Sequence, residues 1–150
     1  MELSISTPPN FSFKRTAISH GWYDLVPFGL DRERWVLSRV LEVGRGKPVL
    51  VKISAADRAL RVSTSSALDK KSAQVVVGAV RHMLRLDDEI SGFYSSMSEH
   101  PEFQWIAVAG AGRLLRSPTV FEDLVKTICT TNCSWALTDK MVTSLVTELG

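Results

Sequence analysis

Residues 112–134 read GRLLRSPTVFEDLVKTICTTNCS, and this stretch decides what kind of fold the chain can have. Pro118 has no amide hydrogen, which suits the first turn of a helix, where that donor would be unpaired anyway. Thr119 and Glu122 stand at capping-box spacing, so the Thr119 hydroxyl is placed to accept an amide of the first turn. Phe121, Leu124, Val125 and Ile128 then recur at helical spacing and form one apolar face. Thr130, Thr131 and Asn132 end the pattern with side chains that compete for backbone hydrogen bonds. Ser134 can cap a second helix in which Leu137, Met141, Leu145 and Leu149 repeat every four residues, with Gly150 at the C-cap position. The spacing predicts two antiparallel helices joined by a polar turn.

Toward the amino terminus, Ala109-Gly110-Ala111-Gly112 is a joint of low bulk, and a domain boundary is expected there, dividing 1–110 from 111–150. Before it, Val75, Val76, Ala79, Val80, Met83 and Leu84 recur at helical spacing behind Asp69, an acidic N-cap that suits the helix dipole. Asp87-Asp88-Glu89 is expected to open a shorter helix through about Met97, and Pro101 to begin another. The first third reads as antiparallel strands: Phe11 to His20, about Arg34 to Val43, the alternation of Val49, Val51 and Ile53, and that of Leu60 and Val62. Gly44-Arg45-Gly46 supplies a reversal and Ala56-Asp57-Arg58 a bend. A meander with one buried face, covered by the helix after Asp69, makes the class α+β.

Of the 150 residues, 45% are hydrophobic and 23% charged, enough to build a core and too ordered a composition for a disordered chain. No apolar run approaches the roughly 18 residues of a membrane span, and Pro8-Pro9 stand where a secretion signal would place its apolar centre. An intracellular, cytoplasmic location follows, at the nucleoid if the source is bacterial. His20, His82 and His100 are scattered, and Cys129 and Cys133 lack a second cysteine pair, so no metal site is expected. Gly110-Ala111-Gly112-Arg113 lacks the spacing and the lysine of a phosphate-cradling loop. Net charge is only +2, but residues 1 to 61 carry +4 and residues 62 to 150 carry −2. That asymmetry suits either a solvated basic sheet or a nucleic-acid footprint.

The run from Gly112 to Glu122, continuing through Ile128-Cys129-Thr130-Thr131-Asn132-Cys133-Ser134, resembles the opening of the helical core of the helix-hairpin-helix DNA glycosylases. The region before it looks like the amino-terminal domain of the oxoguanine and alkyladenine branches, which is related in fold to the TATA-binding protein. The resemblance implies an enzyme of base-excision repair that rotates a damaged base, alkylated or oxidised, out of duplex DNA and hydrolyses its N-glycosidic bond. It implies Asn132 as the wedge that fills the vacated space, with Thr131 and Cys133 beside it at the minor groove. Asn is also a common helix terminator, which is the plainer reading of Asn132. Arg113 and Arg116 would meet phosphate or a partner carboxylate.

The segment Ser19-His20-Gly21-Trp22-Tyr23 lies where the oxoguanine branch sets a strand residue beside the flipped base, so Gly21 and Trp22 are base-pocket candidates; Trp22 and Tyr23 as core aromatics is the alternative. The oxoguanine branch continues with asparagines and a cytosine-reading arginine where this chain has Cys133, Ser134 and Leu137, which leaves the lesion open. The aspartate or lysine of the reaction is expected beyond Gly150, as is any iron-sulfur cluster, so no catalytic residue, metal or cofactor is assigned here and the 150 residues alone are expected to be inactive. The implied partner is double-stranded DNA with a damaged base, bound by a full-length monomer. The competing reading is a non-enzymatic DNA-binding or protein-interaction module of the same α+β class.

Overall fold

The computed structural model describes residues 1–149, so the expected cap at Gly150 lies outside the described residues. A five-stranded antiparallel sheet runs in the order β1-β5-β4-β3-β2, with β1 at Glu2–Ser6, β2 at Phe28–Asp31, β3 at Val36–Glu42, β4 at Pro48–Ala56 and β5 at Ala59–Thr64. Alternation puts one side chain in two on the inner face. The register aligns Leu30, Leu37, Ile53, Val62 and Leu3 across the sheet in one inner row. The neighbouring row is Phe28, Arg39, Val51 and Thr64, so an arginine interrupts an otherwise uncharged face. That arginine is 5% exposed.

The strands expected at 34–43, 49–53 and 60–62 are present, and Gly46 has the positive φ of +69° that its turn requires. β1 and β2, both edge strands, were not anticipated. The segment from Phe11 to His20 is not a strand: it holds the short helix α1, Phe13–Ala17. Ser12 caps it by accepting the Arg15 amide at 3.4 Å, and Phe13, Thr16 and Ala17 turn inward three and four apart. Aromatic and β-branched residues at helical spacing imitate the composition of a strand.

Helix α2, Lys70–Met83, begins as expected at Asp69, whose carboxylate accepts the Ser72 amide at 2.7 Å. Val76, Val80 and Met83 are fully buried and belong to the same core as the inner sheet face. Helix α3 is Ser91–Ser98 and starts later than the acidic run suggested. Those carboxylates are engaged elsewhere: Asp87 pairs with Arg81, Asp88 with Arg85, and Glu89 accepts the Ser91 amide at 2.7 Å. A 3₁₀ turn at Pro101–Phe103 and helix α4, Trp105–Val108, follow. The chain then runs extended back to the sheet, where Leu115 is 1% exposed and the Arg116 amide donates to Met83 O at 2.9 Å. Helices α5, Val120–Cys129, and α6, Trp135–Leu149, complete the described residues. No described helix is long and apolar enough to cross a membrane.

Candidate nucleic-acid interface

The corner between α5 and α6 is built by side chains that close the turn on itself. Thr131 Oγ1 donates to Ile128 O at 2.7 Å, Cys133 Sγ to Cys129 O at 2.9 Å, and Thr138 Oγ1 to Cys129 O at 2.8 Å. Thr138 is 1% exposed, so the corner rests on a buried hydroxyl. Ser134 starts α6 as expected, accepting the Leu137 amide on its hydroxyl at 3.3 Å. Asn132 stands at the apex with φ of 52°, a left-handed conformation that Asn tolerates better than most side chains. It is exposed and makes no side-chain hydrogen bond among the described residues.

Helix α5 keeps the expected cap, Thr119 Oγ1 accepting the Glu122 amide at 3.2 Å. The Glu122 carboxylate does not reach back to complete the box. It turns to the sheet, where Arg39 grips it through Nη1 at 2.7 Å and Nη2 at 2.6 Å. One turn on, Lys126 Nζ approaches the same carboxylate at 2.7 Å. Both cations lie against the Phe28 ring, at 4.7 Å for Arg39 and 4.9 Å for Lys126. Burial alone would raise the Glu122 carboxyl, but the hydrogen bonds and charges of Arg39 and Lys126 outweigh it and hold it below its ordinary range. Burial pushes the Lys126 ammonium below its ordinary range, against the opposing pull of Glu122.

Asp123, between them, accepts the Trp22 indole N–H at 2.7 Å and the Ser117 amide at 2.8 Å on one oxygen. Residues Gly21–Asp24 form a 3₁₀ turn that seats α5. His20 orders this turn: its Nε2 lies 2.6 Å from Leu115 O and its Nδ1 accepts the Trp22 amide at 3.4 Å, which requires the proton on Nε2. Gly21 lies under the ring of Trp135, the first residue of α6, where a Cβ would collide with Cη2 and Cζ2. Trp22 thus touches α5 and Gly21 touches α6.

The remaining predicted residues are spread out. Arg113 is 5% exposed and donates to Arg85 O at 3.0 Å and Asp88 O at 3.1 Å, tying the turn after α2 to the segment that leads into α5. Arg116 is half-buried and lies 3.6 Å from the Asp88 carboxylate. Thr131, Asn132 and Cys133 come together at the corner. Arg39, Asp123 and Lys126 were not singled out from the sequence, because nothing local says that α5 buries its charged side. Cys129 and Cys133 are free thiols, and no cluster of three or more His, Cys, Asp or Glu residues among those described could hold a metal.

An antiparallel sheet with covering helices, followed by a helical hairpin, makes the fold mixed α+β. The solved structure of the 3-methyladenine DNA-glycosylase from Archaeoglobus fulgidus matches with a TM-score of 0.73, covering 100% of this chain and 51% of that one. The chain therefore spans about half the length of that enzyme, and at 17% identity the likeness is one of fold. No family model and no curated protein matches the sequence.

Proposed function

We propose that the chain is the amino-terminal part of a DNA glycosylase of the helix-hairpin-helix superfamily, with residues 1–110 as a sheet domain and 111–150 as the start of its helical domain. Two lines support this: the fold correspondence along the whole chain with a glycosylase, and an exposed amide at the apex of a turn closed by Thr131, Cys133 and Thr138. The apex carries the proposal. An enzyme that acts on a base inside a duplex must extrude it, and the gap left behind needs an occupant. Asn132 fills that gap, and its amide offers both a donor and an acceptor to the orphaned partner base. Its backbone is left-handed and the residue is exposed. Arg116, half-exposed, is available to a flanking phosphate, whereas Arg113 acts through the backbone it anchors.

In this reading these 150 residues bind damaged DNA without releasing the base. The test is binding of the chain to a duplex with a single tetrahydrofuran abasic site, against the same duplex undamaged, across salt concentrations. The preference for the abasic duplex is expected to fall by about tenfold in Asn132→Gly, which keeps the backbone conformation and removes the amide. An unchanged preference would remove Asn132 from the interface.

A further inference from the structure

Helix α5 buries its charged side and exposes its apolar one. Val120, Phe121, Leu124 and Ile128 are 76%, 75%, 56% and 60% exposed, whereas Lys126 is 2% exposed. The side that meets the sheet is thus the charged one, and the contacts that set the rotation of α5 on the sheet are polar. We propose that Arg39, Glu122 and Lys126, with the Trp22–Asp123 hydrogen bond, are positioning residues that hold the α5–α6 corner in one orientation on the sheet and thereby aim Asn132. This rests on the reading of that corner as a DNA contact.

The geometry is suited to aiming. A bidentate guanidinium–carboxylate pair, here at 2.7 and 2.6 Å, fixes the plane of both groups, whereas an apolar contact tolerates sliding. Arg39 is itself held by Nε donating to Val40 O at 3.1 Å and by the Phe28 face beneath it. Lys126 binds the same carboxylate one turn further along and approaches Ser117 Oγ at 3.5 Å. Asp123, between the two, is tied to Trp22 and to the Ser117 amide. Successive attachments on one turn constrain both rotation about the α5 axis and translation along it. Any other seating would strand a cation or a carboxylate against Phe28 without a partner. Buried ion pairs add little net stability over apolar side chains of the same volume, and their best-attested use is to select one packing among several. The corner lies at the carboxyl end of α5, so a rotation at Glu122 is carried to Asn132 through the helix.

The experiment uses the 150-residue chain. Arg39→Met leaves Glu122 paired with Lys126 and keeps the core filled, and Trp22→Phe removes the indole N–H with part of the ring while keeping an aromatic side chain at a partly buried site. Each is expected to melt cooperatively, to lose about tenfold of the preference for the abasic duplex over the undamaged one, and to lose nothing more when Asn132→Gly is added. The reversed pair Arg39→Glu with Glu122→Arg is expected to regain most of the preference. An Arg39→Met protein with full preference and a full Asn132→Gly effect would overturn the proposal. A readout without DNA separates this from the function itself: spin labels at Asn132→Cys and Lys52→Cys, in a Cys129→Ser, Cys133→Ser background, report the distance from corner to sheet. Broadening of that distribution by Arg39→Met supports positioning even if no duplex preference is found, in which case the DNA reading alone falls. A distribution as narrow as in the parent overturns positioning.

Discussion

The indole of Trp135 occupies the space in which a side chain on Gly21 would begin, so the first residue of α6 is packed directly onto backbone of the 3₁₀ turn at 21–24. Gly21 is required here for closeness of approach, since its φ is not in the left-handed region. Gly21→Ala is expected to displace Trp135 and to destabilise the fold by about 1–3 kcal/mol, the usual range for overpacking. Urea unfolding followed by tryptophan fluorescence checks it, and an unchanged midpoint would mean that the ring moves aside freely.

Removing the shared carboxylate differs sharply from removing one of its two cations. Glu122→Gln leaves Arg39 and Lys126 buried around a neutral amide and is expected to destabilise by about 3 kcal/mol. Lys126→Met removes the surplus charge, and with it the cation–π contact to Phe28, while keeping an unbranched side chain of similar length, and is expected to be neutral or stabilising by about 1 kcal/mol. The two midpoints in denaturant, measured side by side, test the assignment.

The same cluster predicts that stability rises with pH at both ends of the scale, in acid through Glu122 and in alkali through Lys126. Glu122 titrates lower when folded than its ordinary value of 4.5, so the unfolded chain binds protons more readily in acid. Its contribution is complete above that ordinary value and is lost as pH falls through the folded value. Lys126 titrates below its ordinary 10.5 when folded, so approaching that pH the unfolded chain again holds more protons and stability rises as pH climbs. Lys126→Met is expected to abolish the alkaline rise while leaving the acid loss in place, as read from unfolding free energy against pH.

The backbone at Asn132 allows conformation and chemistry to be separated. At φ of 52° a residue with a Cβ and no local hydrogen-bonding side chain is strained, so Asn132→Ala is expected to cost about 1 kcal/mol and Asn132→Gly almost nothing. Thermal melts of the two variants give the comparison. Equal destabilisation would show that the amide, and not the backbone angle, holds the turn.

The outward apolar side of α5 continues onto α6, where Trp135, Leu137 and Leu145 are 43%, 47% and 38% exposed. An exposed apolar surface of this kind promotes association. Leu124→Lys is expected to change stability by less than about 0.5 kcal/mol and to reduce self-association of the chain in sedimentation velocity. A stability loss of several kcal/mol would mean that the face is covered within the chain.

What the sequence determined by itself was local. Asp69, Thr119 and Ser134 announce helix starts because a cap needs only a side-chain oxygen and the amides that follow it. Alternation in 49–53 and 60–62 announces strands because the pleat has a period of two. The same logic failed at Phe13–Ala17, where residues favoured in strands sit at helical spacing, and at Asp87–Glu89, where acidic side chains that suit a helix start are taken by Arg81 and Arg85 and by the Ser91 amide.

Only the tertiary structure decided which side of α5 is buried. The periodicity of Phe121, Leu124, Val125 and Ile128 defines an apolar face but carries no information about what that face meets. A single arginine on β3, 83 residues away along the chain from Glu122, turns the charged side of α5 to the sheet. The physical reason is that a desolvated carboxylate accepts only an orientation that satisfies it, and the partners of Glu122 and Asp123, Arg39 and Trp22 respectively, are distant in sequence and adjacent only once the sheet has formed.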